Sequence, residues 1–166
     1  MKNINDIDFS KISFVLMDLD GVMTDGTIIY STNGEQIKVF SVYDGYGIER
    51  GHRLGLKFGI ISGRSSEVNV LRAKKLNIEE LHQNANNKVA VYEEIKQKYS
   101  LGDENFVYIG DEVFDIPLLQ KVAFSCAPAN AVPEVKKEVH YITKVEGGKG
   151  AVREVIDFIL REKKLI

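Results

Sequence analysis

The sequence predicts an α/β protein built on a doubly wound parallel sheet. Three observations lead there. Short apolar runs rich in β-branched and aromatic residues recur at 12–17, 57–61, 106–109, 122–125 and 141–143, each of strand length. Between them lie stretches whose apolar residues repeat at helical spacing, such as Val89, Tyr92, Ile95 and Tyr99, and strands alternating with helices make parallel sheets. Finally, 166 residues, 44% of them apolar and 28% charged, suit a single domain over 1–166 that buries a core of its own.

In chain order, the run 12–17 is the first strand and ends at Asp18. The segment 27–42 reads as a β-hairpin around Asn33-Gly34, a dipeptide that accepts the left-handed conformations a hairpin turn needs. Apolar side chains such as Ile29, Tyr30, Ile37 and Val39 lie on both faces of this ribbon. A two-stranded ribbon is marginal alone, so its own domain or another subunit must cover it. Strand 57–61 runs into Ser62-Gly63-Arg64, and 62–88 has room only for a helix and a short strand. Ser65 or Ser66, and Asn86 or Asn87, supply side-chain caps for the helices that follow. Strand 106–109 leads into Gly110-Asp111, and Pro117 suits the start of the next helix. Near the end, Ala151, Val155 and Ile159 with Val152, Ile156 and Leu160 give one helix two apolar stripes.

Composition narrows the function. Lys and Arg total 22 against 24 Asp and Glu, a net charge of −2, too little positive charge for gripping nucleic acid. The single cysteine, Cys126, excludes an internal disulfide and fits a reducing compartment. No apolar run approaches the roughly 20 residues that cross a bilayer, and the first ten residues lack the apolar core of a signal peptide. The expectation is a cytoplasmic protein without a membrane or nucleic-acid partner. His52, His82 and His140 are scattered and suggest no transition-metal site.

The chemistry lies at the strand ends. Asp18-Leu19-Asp20-Gly21 follows the first strand, and in open α/β sheets the carboxyl ends of strands line the ligand crevice. Two such close carboxylates repel unless a cation lies between them or one keeps a proton, which suits a hard divalent ion, Mg²⁺. Ser62-Gly63-Arg64 offers a hydroxyl, a permissive glycine and a guanidinium, a plausible phosphate cradle. Lys88 opens a helix, where its charge opposes the helix dipole, so an anionic partner is expected. Asp111 and Asp115 follow the strand 106–109 and could complete a metal site with Asp18 or cap a helix. From the residues alone, the choice of nucleophile among these acids stays open.

The ordered set Asp18-x-Asp20, Ser62-Gly63-Arg64, Lys88 and Gly110-Asp111-x-x-x-Asp115 resembles the haloacid dehalogenase superfamily of phosphotransferases. With Asp44-Gly45-Tyr46-Gly47-Ile48 and Gly147-Gly148-Lys149-Gly150-Ala151-Val152-Arg153-Glu154, it looks like the capless 3-deoxy-D-manno-octulosonate 8-phosphate phosphatase family over nearly the whole chain. The resemblance implies a Rossmann-like sheet and Asp18 as the nucleophile that forms an aspartyl-phosphate. It makes Asp20 the general acid and base, and Asp18, Asp111 and the main-chain carbonyl of Asp20 the Mg²⁺ ligands, with Asp115 ordering the metal's waters. Ser62 and Lys88 would hold the transferring phosphoryl group. Gly63, Arg64, Arg72, Asp44 and Gly45 would help bind the acid sugar phosphate, the arginines taking its carboxylate.

With no cap domain, closure would fall to neighbouring subunits. The resemblance implies a homotetramer joined by the hairpins, in which the glycine-rich segment 146–153 covers a neighbour's site. Tyr43 stands where relatives carry arginine, which keeps a nine-carbon 2-keto-3-deoxy sugar acid 9-phosphate open as the alternative substrate. Two lesser departures are Glu112 and Asn84.

Overall fold

The computed structural model describes residues 3–166. Its elements run β1 (Phe14–Met17), β2 (Ile29–Tyr30), β3 (Gln36–Ile37), α1 (Val42–Arg53), β4 (Lys57–Ile61), α2 (Glu67–Lys75) and β5 (Glu80–His82). There follow α3 (Lys88–Tyr99), β6 (Phe106–Ile109), α4 (Ile116–Leu119), β7 (Phe124–Ala127), α5 (Pro133–Glu138), β8 (Tyr141–Ile142) and α6 (Ala151–Glu162). Six strands form one sheet in the order β5-β4-β1-β6-β7-β8, and every pair is parallel. The chain starts in the middle with β1, moves outward through β4 and β5, then crosses to β6 on the other side. That reversal opens a crevice at the carboxyl end of β1.

Successive residues of a strand face opposite sides, and β1 shows why its run is apolar throughout. Val15 and Met17 join a core with Ile48 of α1, Ala73 of α2 and the α6 stripe of Val152, Val155, Ile156, Ile159 and Leu160. Phe14 and Leu16 join the opposite core with Tyr92 and Ile95 of α3, Leu118 of α4 and Val135 of α5. Helices thus cover both faces, as a parallel sheet requires. Cys126 of β7 is completely buried. Among the described residues, no helix is long and apolar enough to cross a membrane.

Two expectations change. The hairpin of 27–42 pairs only at Ile29 with Ile37 and Tyr30 with Gln36, around a loop closed by Ser31 N–H donating to the Glu35 carbonyl (2.9 Å) and Gly34 N–H to the Ser31 carbonyl (3.0 Å). The ribbon ends early because the Ser41 hydroxyl accepts from the amides of Tyr43 and Asp44, capping α1 from Val42 onward. The segment 44–48, read from sequence as a motif, lies inside that helix. Its glycines serve packing: a Cβ on Gly47 would lie 3.0 Å from the Arg153 Cα, and one on Gly51 would meet the Phe58 ring at 2.5 Å.

Candidate active site

β1 delivers Asp18 to the crevice, where its amide donates to the Ile109 carbonyl of β6 at 2.9 Å. Asp18 is buried. Its Oδ1 accepts from the Leu19 amide at 2.6 Å, and its Oδ2 lies 2.8 Å from the Lys88 ammonium. The chain then turns at Gly21, whose φ of +90° favours glycine. A Cβ there would also strike Asp111 Oδ2 at 2.1 Å, so the missing side chain lets the β6 loop approach the β1 loop. Asp20 lies at the cleft wall, with Ser62, Arg64, Asp111 and Phe114 around the same space of about 280 Å³.

Oxygens of Asp18, Asp111 and Asp115 all lie within 4.8 Å of one another. Burial pushes the Asp111 carboxyl up to about 7, and the charges of Asp18 and Asp115 add to the rise. Burial likewise lifts Asp18 to about 6, raised further by Asp115 while Lys88 works against both. Acids crowded in a low-dielectric setting repel, and a cation among them relieves the repulsion. Asp111 Oδ1 is buried without a hydrogen-bond partner, an acceptor aimed at nothing in the chain. An all-oxygen donor set with one orphaned carboxylate oxygen fits Mg²⁺.

Asp115 sits deeper than its sequence position suggests. Its Oδ1 accepts from the Lys88 ammonium (2.7 Å) and the Tyr108 hydroxyl (2.6 Å), while its Oδ2 accepts from the amides of Asp111 (3.0 Å) and Glu112 (3.2 Å). It therefore fixes both the metal-side loop and the lysine. Lys88, buried at the first position of α3, gains from Asp18 and Asp115 the anions that its position against the helix dipole calls for. Phe114 lies over the ammonium, 4.6 Å from it to the ring centroid.

Ser62 follows β4 and is buried, its hydroxyl accepting from the Arg64 amide at 3.2 Å. Gly63 has open space where a side chain would stand, and Arg64 is exposed at the cleft. These three and Lys88 face the same crevice as the acids. Tyr108, Asn69 and Lys38, absent from the sequence reading, complete the surroundings. Tyr108 lay hidden because a strand tyrosine reads as core, although its buried hydroxyl had to find a partner.

Three placements add contacts that the sequence did not predict. The Arg72 guanidinium donates to the Ser41 carbonyl at 3.0 Å and lies 5.0 Å from the Phe40 ring centroid. It is thereby held against the segment that links the hairpin to α1. Asp44 is buried with Oδ1 accepting from the Arg153 amide at 2.9 Å, and a Cβ on Gly45 would face Arg72 at 3.1 Å. Asp44 thus ties α1 to α6, and Gly45 lets α1 lie close to Arg72 of α2. The glycine-rich segment packs on the loop 18–26 of its own chain: Gly148 N–H donates to the Val22 carbonyl (3.1 Å) and Gly147 N–H to the Asn130 side chain (2.7 Å), whose amide donates in turn to the Gly21 carbonyl (3.1 Å). The backbone of the segment is thus anchored to its own chain at Gly147 and Gly148.

Comparison with known proteins gives one answer at three levels. A model of the haloacid dehalogenase-like hydrolases matches residues 57–156. The 3-deoxy-D-manno-octulosonate 8-phosphate phosphatase of Escherichia coli K12 is 38% identical over 90% of this chain and 80% of its own length. The crystal structure of the Yersinia pestis enzyme of that name superimposes with a TM-score of 0.92 at 38% identity, covering 94% of this chain and 84% of that one. The Moraxella catarrhalis enzyme, solved with magnesium ion, phosphate ion and a KDO molecule, matches at 0.91 and 33% identity over 94% and 90% of the two chains. Shared sequence and shared fold over nine-tenths of its length place this chain in the 3-deoxy-D-manno-octulosonate 8-phosphate phosphatase family of the haloacid dehalogenase-like hydrolases.

Proposed function

We propose that this protein is a Mg²⁺-dependent phosphoric monoester hydrolase that cleaves 3-deoxy-D-manno-octulosonate 8-phosphate to the free sugar acid and phosphate. One observation carries the reading: a buried carboxylate, Asp18, stands at the crevice between the Lys88 ammonium and a half-buried acid, Asp111, one of whose oxygens is buried and unpartnered. An anionic ester needs that arrangement, because a lone carboxylate would repel it.

Asp18 attacks phosphorus and displaces the sugar oxygen, forming an aspartyl-phosphate. Asp20 gives its proton to the leaving oxygen, then takes one from the water that cleaves the acyl phosphate. Lys88, Ser62 and the open backbone at Gly63 hold the phosphoryl oxygens, with positioned charge supplying most of the acceleration. Asp18, Asp111 and the Asp20 main-chain carbonyl would hold Mg²⁺, which neutralises charge on the phosphoryl group. Asp115 keeps the Asp111 loop and Lys88 in register and would order the metal's waters. Arg64, exposed at the cleft, is suited to the sugar carboxylate.

We further infer a homotetramer joined through the hairpins. Ile29, Tyr30, Ile37 and Val39 are 50–69% exposed on one small ribbon, and such a patch calls for a cover. A neighbouring copy there would also close the open cleft to water.

The test is phosphate release with Mg²⁺ and with chelator. The parent should turn over the eight-carbon 8-phosphate with a higher kcat/KM than a nine-carbon 2-keto-3-deoxy acid 9-phosphate, and chelator should stop it. Asp18→Asn should lower kcat by about a thousandfold or more while circular dichroism stays unchanged. Preference for the nine-carbon ester would overturn the substrate assignment, and parent-like turnover by the variant would overturn the nucleophile.

A further inference from the structure

Lys38 stands one residue beyond β3, among exposed apolar neighbours, yet its own side chain is entirely shielded from solvent. Its ammonium lies 2.7 Å from Asp20 Oδ1 and 3.1 Å from Asp20 Oδ2, and donates to Asn69 Oδ1 at 3.0 Å. Burying an ammonium costs several kcal/mol unless it is paired and hydrogen-bonded, so both partners are needed to keep it there. Asn69, fully buried on α2, is itself oriented. Its amide donates to Gln83 Oε1 at 2.9 Å, and the same oxygen accepts from the Ser66 amide at 2.8 Å. A continuous polar chain therefore runs from the end of β5 through α2 and the hairpin to the catalytic loop.

We propose that Lys38 is a positioning residue for phosphoryl transfer, clamping the Asp20 carboxyl at the leaving-group side of the cleft. The proposal rests on the reading of Asp20 as the general acid. In the first step a bond forms between an Asp18 oxygen and phosphorus, the bond from phosphorus to the sugar oxygen breaks, and that oxygen takes the Asp20 proton. The carboxylate left behind faces the Lys38 ammonium. In the second step water supplies the oxygen that displaces Asp18, and its proton returns to Asp20. Asp20 is partly exposed, and among the described residues no side chain but Lys38 holds either of its oxygens, so without it the carboxyl would turn about its own torsions. Alignment of the reacting groups is what such freedom loses. Because the lysine belongs to the hairpin, the ribbon whose outer face awaits a partner also carries the anchor of the proton donor.

The test separates proton donation from everything else by leaving group. An alkyl sugar phosphate needs its leaving oxygen protonated, whereas 4-nitrophenyl phosphate does not, and kcat/KM reports the first step alone. Lys38→Met should lower kcat/KM for the octulosonate phosphate about a hundredfold and that for the aryl ester less than about tenfold. The loss should fall in kcat, with KM within about threefold, and Lys38→Arg should recover part of it. Equal losses on both esters, or no loss, would overturn the proposal. Asn69→Ala, which frees the ammonium from its second acceptor, should show the same selective loss on a smaller scale and carries the test should Lys38→Met not fold. If the parent fails to cleave the octulosonate ester, only the substrate reading fails, because the same ratio can be read with any alkyl phosphate the parent accepts.

Discussion

Asp44 makes a contact inside the fold that has an energetic consequence. Its carboxyl is pushed up to about 6 by burial, against the pull of the Arg153 amide and the Arg72 charge. In the unfolded chain the group ionises near its ordinary value of 3.8, so between roughly pH 4 and 6 folding must hold a proton that the open chain has already released. The parent therefore loses stability as pH rises through that window and stays at the lower level above it. Asp44→Asn keeps an oxygen for the Arg153 amide and removes the penalty. Urea unfolding at pH 4 and pH 7.5 should show the variant near parity at the lower value and more stable at the higher, by up to about 3 kcal/mol. A difference that does not grow with pH would show that the carboxylate is better satisfied than its surroundings indicate. Lys88 offers the contrasting lesson. Its place at a helix start was a local misfit visible in the sequence, and the anions it called for are there.

At the scale of elements, the glycine-rich segment before α6 behaves as a buttress. A Cβ on Gly147 would lie 1.9 Å from the Gly21 carbonyl oxygen, and one on Gly148 would lie 2.7 Å from the Asp25 amide. Gly147→Ala should therefore push the loop 18–26 outward and lower kcat by about a hundredfold, the scale expected of an ångström of misplacement. Unfolding should remain cooperative. Parent-like kcat would mean that the segment yields instead of the loop. Deleting everything from Gly147 is no test of a mobile cover, since it removes α6 and its buried stripe.

The strand ends were legible in the sequence for a topological reason: parallel strands send all their carboxyl ends to one rim, so Asp18, Ser62 and Asp111 could be brought together without coordinates. Other features were not legible. α1 carries Gly45, Gly47 and Gly51, poor helix formers whose value lies in contacts with other parts of the chain. Lys38 meets Asp20 and Asn69 across gaps that no local spacing rule spans.

For the whole molecule, the proposed assembly rests on the hairpin. Ile29 and Ile37 face each other in register and are about half exposed. The double variant Ile29→Lys, Ile37→Glu puts opposite charges across the ribbon, which preserves the pairing but makes the face polar. If the proposed tetramer forms through this face, sedimentation should show it replaced by smaller species, with phosphatase activity reduced. An unchanged sedimentation coefficient would send the search for the interface elsewhere.

Cys126 gives the protein a reporter of its own. It is the chain's single cysteine, set in β7 with no exposed surface and its thiol driven well above the ordinary range by burial. An alkylating reagent can reach that sulfur only after the core that joins β7 to α6 has opened. Reaction in native buffer should thus follow the rare excursions in which the central sheet opens. Slowing of that reaction by Mg²⁺ would measure, without any added dye or tag, how much the bound ion steadies the interior.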